Sequence, residues 1–118
     1  MRRSILLVSR SDDLQIARSG LFHEVGYLTF HVDNISGAVL LVGAERADIA
    51  LLCFTFSVGE QELFIERIRE TNSSLFVLCL RDANVQPSKL IEVCEQSFVK
   101  RPGMGRLRVL GGEDAPLR

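Results

Sequence analysis

The sequence predicts an α/β fold, a parallel five-stranded sheet with helices on both faces. Three observations point there. Ile5-Leu6-Leu7-Val8 and Ile49-Ala50-Leu51-Leu52 are short, unbroken apolar runs, the pattern of strands buried on both sides. A third run of this kind ends at Phe98-Val99-Lys100. Between them lie stretches with helical spacing, and strands alternating with such helices build a parallel sheet. The carboxyl ends of these strands then converge, bringing Ser9-Arg10-Ser11, Cys53 and Lys100 to one site.

Ser4 to Val8 is the first strand, and Asp12 stands where a helix N-cap belongs. Leu14, Ala17, Leu21 and Val25 recur at helical spacing, and Gly26 ends that helix in the left-handed conformation. Leu28 to Val32 is a second, shorter strand. Ala38 to Val42 is a short apolar helix closed by Gly43. Asp48 opens a third strand, Ile49 to Phe54, and Gly59 precedes a helix carrying Leu63, Phe64, Ile65 and Ile68. Asn72-Ser73-Ser74 breaks it, and Leu75 to Leu80 is the fourth strand. Pro87 fits the first turn of a fourth helix that carries Leu90, Ile91 and Cys94 on one face. Ser97 to Val99 reads as a brief fifth strand. Beyond Pro102 the glycines Gly103, Gly105, Gly111 and Gly112 disfavour a helix, each by ~1 kcal/mol, so 103–118 reads as a partly disordered tail.

A chain of 118 residues is one domain, and a formal charge of -1 gives no field that would recruit DNA, RNA or an anionic membrane. No apolar stretch approaches the ~20 residues needed to span a bilayer. Cys53, Cys79 and Cys94 lie in apolar segments without metal-type spacing, as expected of reduced core thiols in a cytoplasmic protein. His23 and His31 read as structural histidines. Ser9-Arg10-Ser11-Asp12-Asp13 lacks the glycine of a flavin-phosphate loop, so no cofactor is expected.

Several phrases, in order, resemble the receiver domain of bacterial two-component response regulators over roughly residues 4–102. They are Ile5-Leu6-Leu7-Val8 followed by Asp13-Leu14, Glu24-Val25-Gly26-Tyr27, Ser36-Gly37, Ala47-Asp48-Ile49-Ala50-Leu51-Leu52, Ile68-Arg69 and Phe98-Val99-Lys100-Arg101-Pro102. The resemblance implies a flavodoxin-like three-layer α/β/α sandwich with strand order 2-1-3-4-5 and a site at the strand ends. It divides the chain into a receiver-like domain, 1–102, and the tail, 103–118. The fifth helix, which would cover the sheet beside the first, is then truncated.

The family's chemistry does not carry over. Its pair of metal-binding acids follows strand one, where Ser9 and Arg10 stand, and a guanidinium repels magnesium. Its phosphoacceptor aspartate ends strand three, where Cys53 stands, and its phosphate-sensing hydroxyl residue ends strand four, where Leu80-Arg81 stands. The family lysine is retained as Lys100, but Arg101 separates it from Pro102. With no metal site and no acceptor, phosphoryl transfer lacks its means. The expectation is a degenerate receiver: a non-enzymatic, phosphorylation-independent interaction module that meets signalling proteins, such as members of a histidine kinase pathway. Self-association through the fourth helix (Leu90 to Cys94) and the uncovered face is a further expectation. Two alternatives use the same site: an anion pocket of Arg10, Arg81, Lys100 and Arg101, and a redox-sensing Cys53 activated by Arg10 and Lys100, with Cys79 as resolving thiol.

Overall fold

The computed structural model describes residues 3–44, 47–72, 75–99 and 106–111. The elements run β1 (Ser4–Val8), α1 (Asp12–Glu24), β2 (Leu28–Val32), α2 (Ile35–Gly43), β3 (Ile49–Leu52), α3 (Val58–Thr71), β4 (Phe76–Leu80), α4 (Pro87–Val99) and β5 (Arg106–Leu110). All strand pairs are parallel, in the order β2-β1-β3-β4-β5. The expected sheet is therefore present.

Local chemistry fixes the helix starts. Ser11, one residue before the expected Asp12, caps α1 by accepting the Leu14 N–H, and Asp12 and Asp13 fall in the first turn, where the helix dipole favours them. Ser57 and Glu60 form a reciprocal capping box on α3. Gly26, at φ 94°, turns the chain out of α1 as its sequence position predicts.

Alternation along the strands separates two cores. Ile5, Leu7, Ile49, Leu51 and Leu78 pack with Phe22, Tyr27, Leu90, Val93 and Cys94 on the α1 side. Leu6, Val8, Ala50, Leu52 and Val77 pack with Ala38, Val42, Phe64 and Ile68 on the other. Helices α1 and α4 thus share one face, and α2 and α3 share the opposite one.

That arrangement sets the hand of each crossover. A crossover's hand depends on its direction across the sheet and the face its helix covers. The connection β1–α1–β2 steps toward one edge over the first face. Both β2–α2–β3 and β3–α3–β4 step toward the other edge over the second face, so these three agree in hand. The last, β4–α4–β5, steps toward the β5 edge over the first face and has the opposite hand. Parallel crossovers are right-handed in ~98% of cases, so this last one is the left-handed exception.

Three expectations are corrected here. Ser97 to Val99 is the last turn of α4, because Leu90, Val93 and Cys94 continue a helical stripe into the core that carries the chain through Phe98. The fifth strand lies at Arg106–Leu110, inside the segment expected to be a tail. The face beside α1, expected to be bare, is covered by α4, and Leu90, Val93 and Cys94 are buried in it rather than offered to a second copy. Burial of Leu90 and Val93 is worth ~1.5–3 kcal/mol each. Polar and aromatic ties add to it. The Tyr27 hydroxyl donates to Glu95 at 2.8 Å, and Arg3 pairs with the same carboxylate at 2.9 Å. The Arg3 guanidinium lies 4.1 Å from the centre of the Phe98 ring, a cation–π contact.

Candidate functional site

The carboxyl ends of the strands do converge. Ser9, just past β1, is almost fully buried. Its N–H donates to the Val32 carbonyl at 3.1 Å, and its Oγ accepts from the Ser11 N–H at 3.0 Å and lies 3.4 Å from Thr55 Oγ1. Arg10 turns outward into a bidentate pair with Glu60, Nη1 to Oε1 at 3.0 Å and Nη2 to Oε2 at 2.6 Å. Its guanidinium lies 4.5 Å from the Phe56 ring centre, and its backbone N–H donates to Thr55 Oγ1 at 3.0 Å. The pair is exposed. Arg10, followed by the Ser57 backbone N–H, holds the Glu60 carboxyl down to about 2.

Cys53 directly follows β3 and is fully buried. Its N–H donates to the Val8 carbonyl at 3.0 Å. Burial pushes its thiol up, but the Ser9 hydroxyl, the Thr55 backbone and Arg18 together hold it below the usual cysteine range. Among the described residues the cation acting on Cys53 is therefore Arg18 of α1, where Arg10 was expected; the other expected cation, Lys100, lies outside them. Cys79 is level with Leu52 in the β3–β4 register, and burial raises its thiol, so it is not placed opposite Cys53 as a resolving partner.

Of the expected cationic pocket, only Arg10 and Arg81 lie among the described residues. Arg10 is clamped by Glu60. Arg81, past β4, donates its backbone N–H to Leu110 at 2.8 Å, and its Nε is buried without a hydrogen-bond partner. Lys100 and Arg101 lie outside the described residues, immediately after α4 rather than after a strand. The residue that follows β5 is Gly111. Its φ is +84°, and a Cβ there would stand 2.7 Å from Asp82 Oδ1, so any other residue would be strained and would push that carboxylate aside. Among the described residues no group of His, Cys, Asp or Glu is placed to hold a metal ion.

Two buried glutamines organise this edge, and sequence reasoning missed them. Gln15 of α1 donates through Nε2 to the carbonyls of Leu7 (3.1 Å), Ser9 (3.4 Å) and Val32 (2.9 Å), tying the ends of β1 and β2 together. Gln61 of α3 donates to Cys53 (3.1 Å) and Leu80 (2.8 Å), tying β3 to β4. Each lies four residues after its serine N-cap, Ser11 and Ser57. That spacing, a Gln on the inward side of the first turn, is the signal the sequence held. Both Oε1 atoms are buried without a partner.

No protein-family model and no characterised protein sequence matches the chain. Solved structures do. The chain is similar to a response regulator receiver domain protein (CheY-like) from Methanospirillum hungatei JF-1, with TM-score 0.74 and 13% identity over 84% of this chain and 95% of that one. It is similar to the chemotaxis response regulator CheY4 of Vibrio cholerae, with TM-score 0.70 and 14% identity over 81% and 98% of the respective chains. The beryllofluoride-activated NtrC receiver domain gives TM-score 0.66 and 11% identity over 93% and 82%. The fold is that of a response-regulator receiver domain. At its strand ends this chain carries a serine and a clamped arginine, a buried thiol, and a glycine in the left-handed conformation.

Proposed function

We propose that this chain is a degenerate receiver domain, an interaction module in signal transduction that works without phosphorylation. The observation that carries the reading is the Arg10–Glu60 pair just past β1. On the resemblance to receivers, Ser9 and Arg10 stand at the metal-acid positions and Cys53 at the phosphoacceptor position. A guanidinium engaged by its own carboxylate supports a closed strand edge that needs no metal. A buried thiol offers no carboxylate for an acyl phosphate. On this reading the lysine's place, just past the fifth strand, would fall to Gly111.

The partner under this reading is a signalling protein, such as a component of a histidine kinase pathway, that reads the surface of a fixed conformation. No described helix is long and apolar enough to cross a membrane, and the three free, buried thiols suit a reducing compartment such as the cytoplasm. Incubation with acetyl phosphate and magnesium tests the proposal. The intact mass of the protein is expected to stay unchanged, and a stoichiometric, hydroxylamine-labile phosphoryl adduct would overturn the reading.

A further inference from the structure

The opposite hand of the last crossover leaves the sheet unevenly covered. A helix is ~10 Å wide and strands lie ~4.8 Å apart, so one helix covers about two strands. On the second face α2 lies over β1 and β2, and α3 spans β3 and β4, where Gln61 reaches Cys53 and Leu80. Strand β5 has no described helix on that face. Leu107 and Val109 stand level with Val77 and Cys79 and point to the same side, 40% and 42% exposed. Leu110 points to the α4 side and is 9% exposed.

Cations border this apolar strip. Glu60 and Thr71, near Arg10 and Gly43, mark the flank of α3 that faces β1 and α2. Helical spacing puts Arg69 on the other flank, toward β5. Arg81, past β4, reaches the Cys79 thiol on this same side of the sheet. The outer side of α3 has the matching chemistry. Gln61, Phe64 and Ile68 point inward, so Glu62, Glu66 and Glu70 form one exposed row opposite them, with Leu63 alongside at 43%. Among the described residues neither these arginines nor these glutamates take part in an ion pair. Like charges in such a row weaken a helix, and a facing cation offsets that. The dimensions agree as well. Helix α3, with 14 residues, is ~21 Å long, and the five residues of β5 span ~17 Å.

We propose that the uncovered strip of β5 takes the outer side of α3 from a second copy of this chain, in a two-fold pair where each copy fills the other's strip. Leu63 of one copy lies on Leu107 and Val109 of the other, Glu62 meets Arg81, and Glu66 meets Arg69. In each copy α3 adjoins the strip, so the two helices lie side by side between the two sheets and the contact closes on itself. This goes beyond the interaction-module reading and does not depend on it. Self-pairing and resistance to acetyl phosphate can each fail alone.

Sedimentation velocity of the full chain from about 10 μM to about 1 mM tests the proposal, and a reversible dimer is expected. Salt should weaken it by screening the charge pairs. E62K/E66K changes exposed side chains and should keep the thermal transition while raising the dimer Kd at least about tenfold. L107N, at the strip itself, should do the same. R69E/R81E should also be monomeric, and mixing it with E62K/E66K should restore a heterodimer, because every reversed charge then meets its opposite. A chain that stays monomeric at the top concentration would overturn the proposal and leave the strip to another segment or a different protein. A dimer that either E62K/E66K or L107N leaves intact would overturn it by assigning another surface. So would two folded charge variants that fail to pair; if R69E/R81E does not fold, L107N and E62K/E66K decide.

Discussion

The two faces of the sheet are held in different ways. Helices α2 and α3 cover one face as ordinary crossovers, with Phe64 and Ile68 fully buried and the α3 start fixed by a capping box. Helix α4 covers its face through a crossover of the opposite hand, and long-range ties hold it there: Tyr27 and Arg3 to Glu95, and Arg3 over Phe98. Connection geometry does much of the positioning of α2 and α3. For α4, side-chain contacts distant in sequence must do it, so the α4 side should be the one that opens first.

The largest expected effect compares the two cores directly. Phe64→Ala should cost ~3–5 kcal/mol and lower the whole unfolding transition, while Leu90→Ala, at ~2–5 kcal/mol, should raise amide hydrogen exchange mainly in α4 and β5. Uniform acceleration of exchange in Leu90→Ala would show that the faces are one cooperative unit. Next is Gln61→Leu, which leaves the carbonyls of Cys53 and Leu80 without their donor. It should cost ~1–3 kcal/mol, read from the denaturant midpoint.

A smaller effect separates the faces by alkali. On the α4 side, burial and the bond to Glu95 push the Tyr27 phenol well above its ordinary range, and burial, then the Glu95 charge, raises the Cys94 thiol to about 12. Both groups are neutral when protonated, and the unfolded chain gives up these protons first. Their contribution is complete below the unfolded values and is lost as pH rises through and beyond them. Stability should therefore fall above about pH 9, the ordinary cysteine value, and Cys94→Ala should flatten that fall in a chemical denaturation series. Tyr27→Phe alone should cost ~1 kcal/mol at neutral pH by releasing Glu95.

The smallest effect belongs to the exposed clamp. Glu60 has a lowered pKa, so its contribution is present above the unfolded value of 4.5 and is lost as pH falls toward about 2. Glu60→Gln should lower the melting temperature slightly at neutral pH, less in high salt, and progressively less as pH falls from 4.5 toward 2. A loss that does not shrink over that range would assign the effect to the helix cap alone.

The strands buried on both faces were legible because a continuous apolar run has few other uses. β1, β3 and β4 fall where Ile5, Ile49 and Phe76 announce them. The fifth strand was misplaced because Phe98-Val99 imitates a short strand, while Arg106-Leu107-Arg108-Val109-Leu110 alternates beside glycines that resemble those of a tail. Alternation is what an edge strand shows, and β5 is an edge: Leu107 and Val109 are both near two-fifths exposed. The convergence of Ser9, Arg10 and Cys53 just past their strands could be read from position alone. The partners of those residues could not, because Glu60 is 50 residues from Arg10 and Gln61 meets Leu80 across 19. Such distances have no local pattern, and only the serine-to-glutamine spacing hinted at them.

Gly111 carries a consequence for ancestry. Its backbone is turned into a region that L-residues avoid, and Asp82 fills the space a first carbon would take. Any other residue placed here must displace that carboxylate and hold a strained torsion at the same time. Sequence drift at the turn out of β5 is therefore penalised twice over, and glycine is the residue that turn selects.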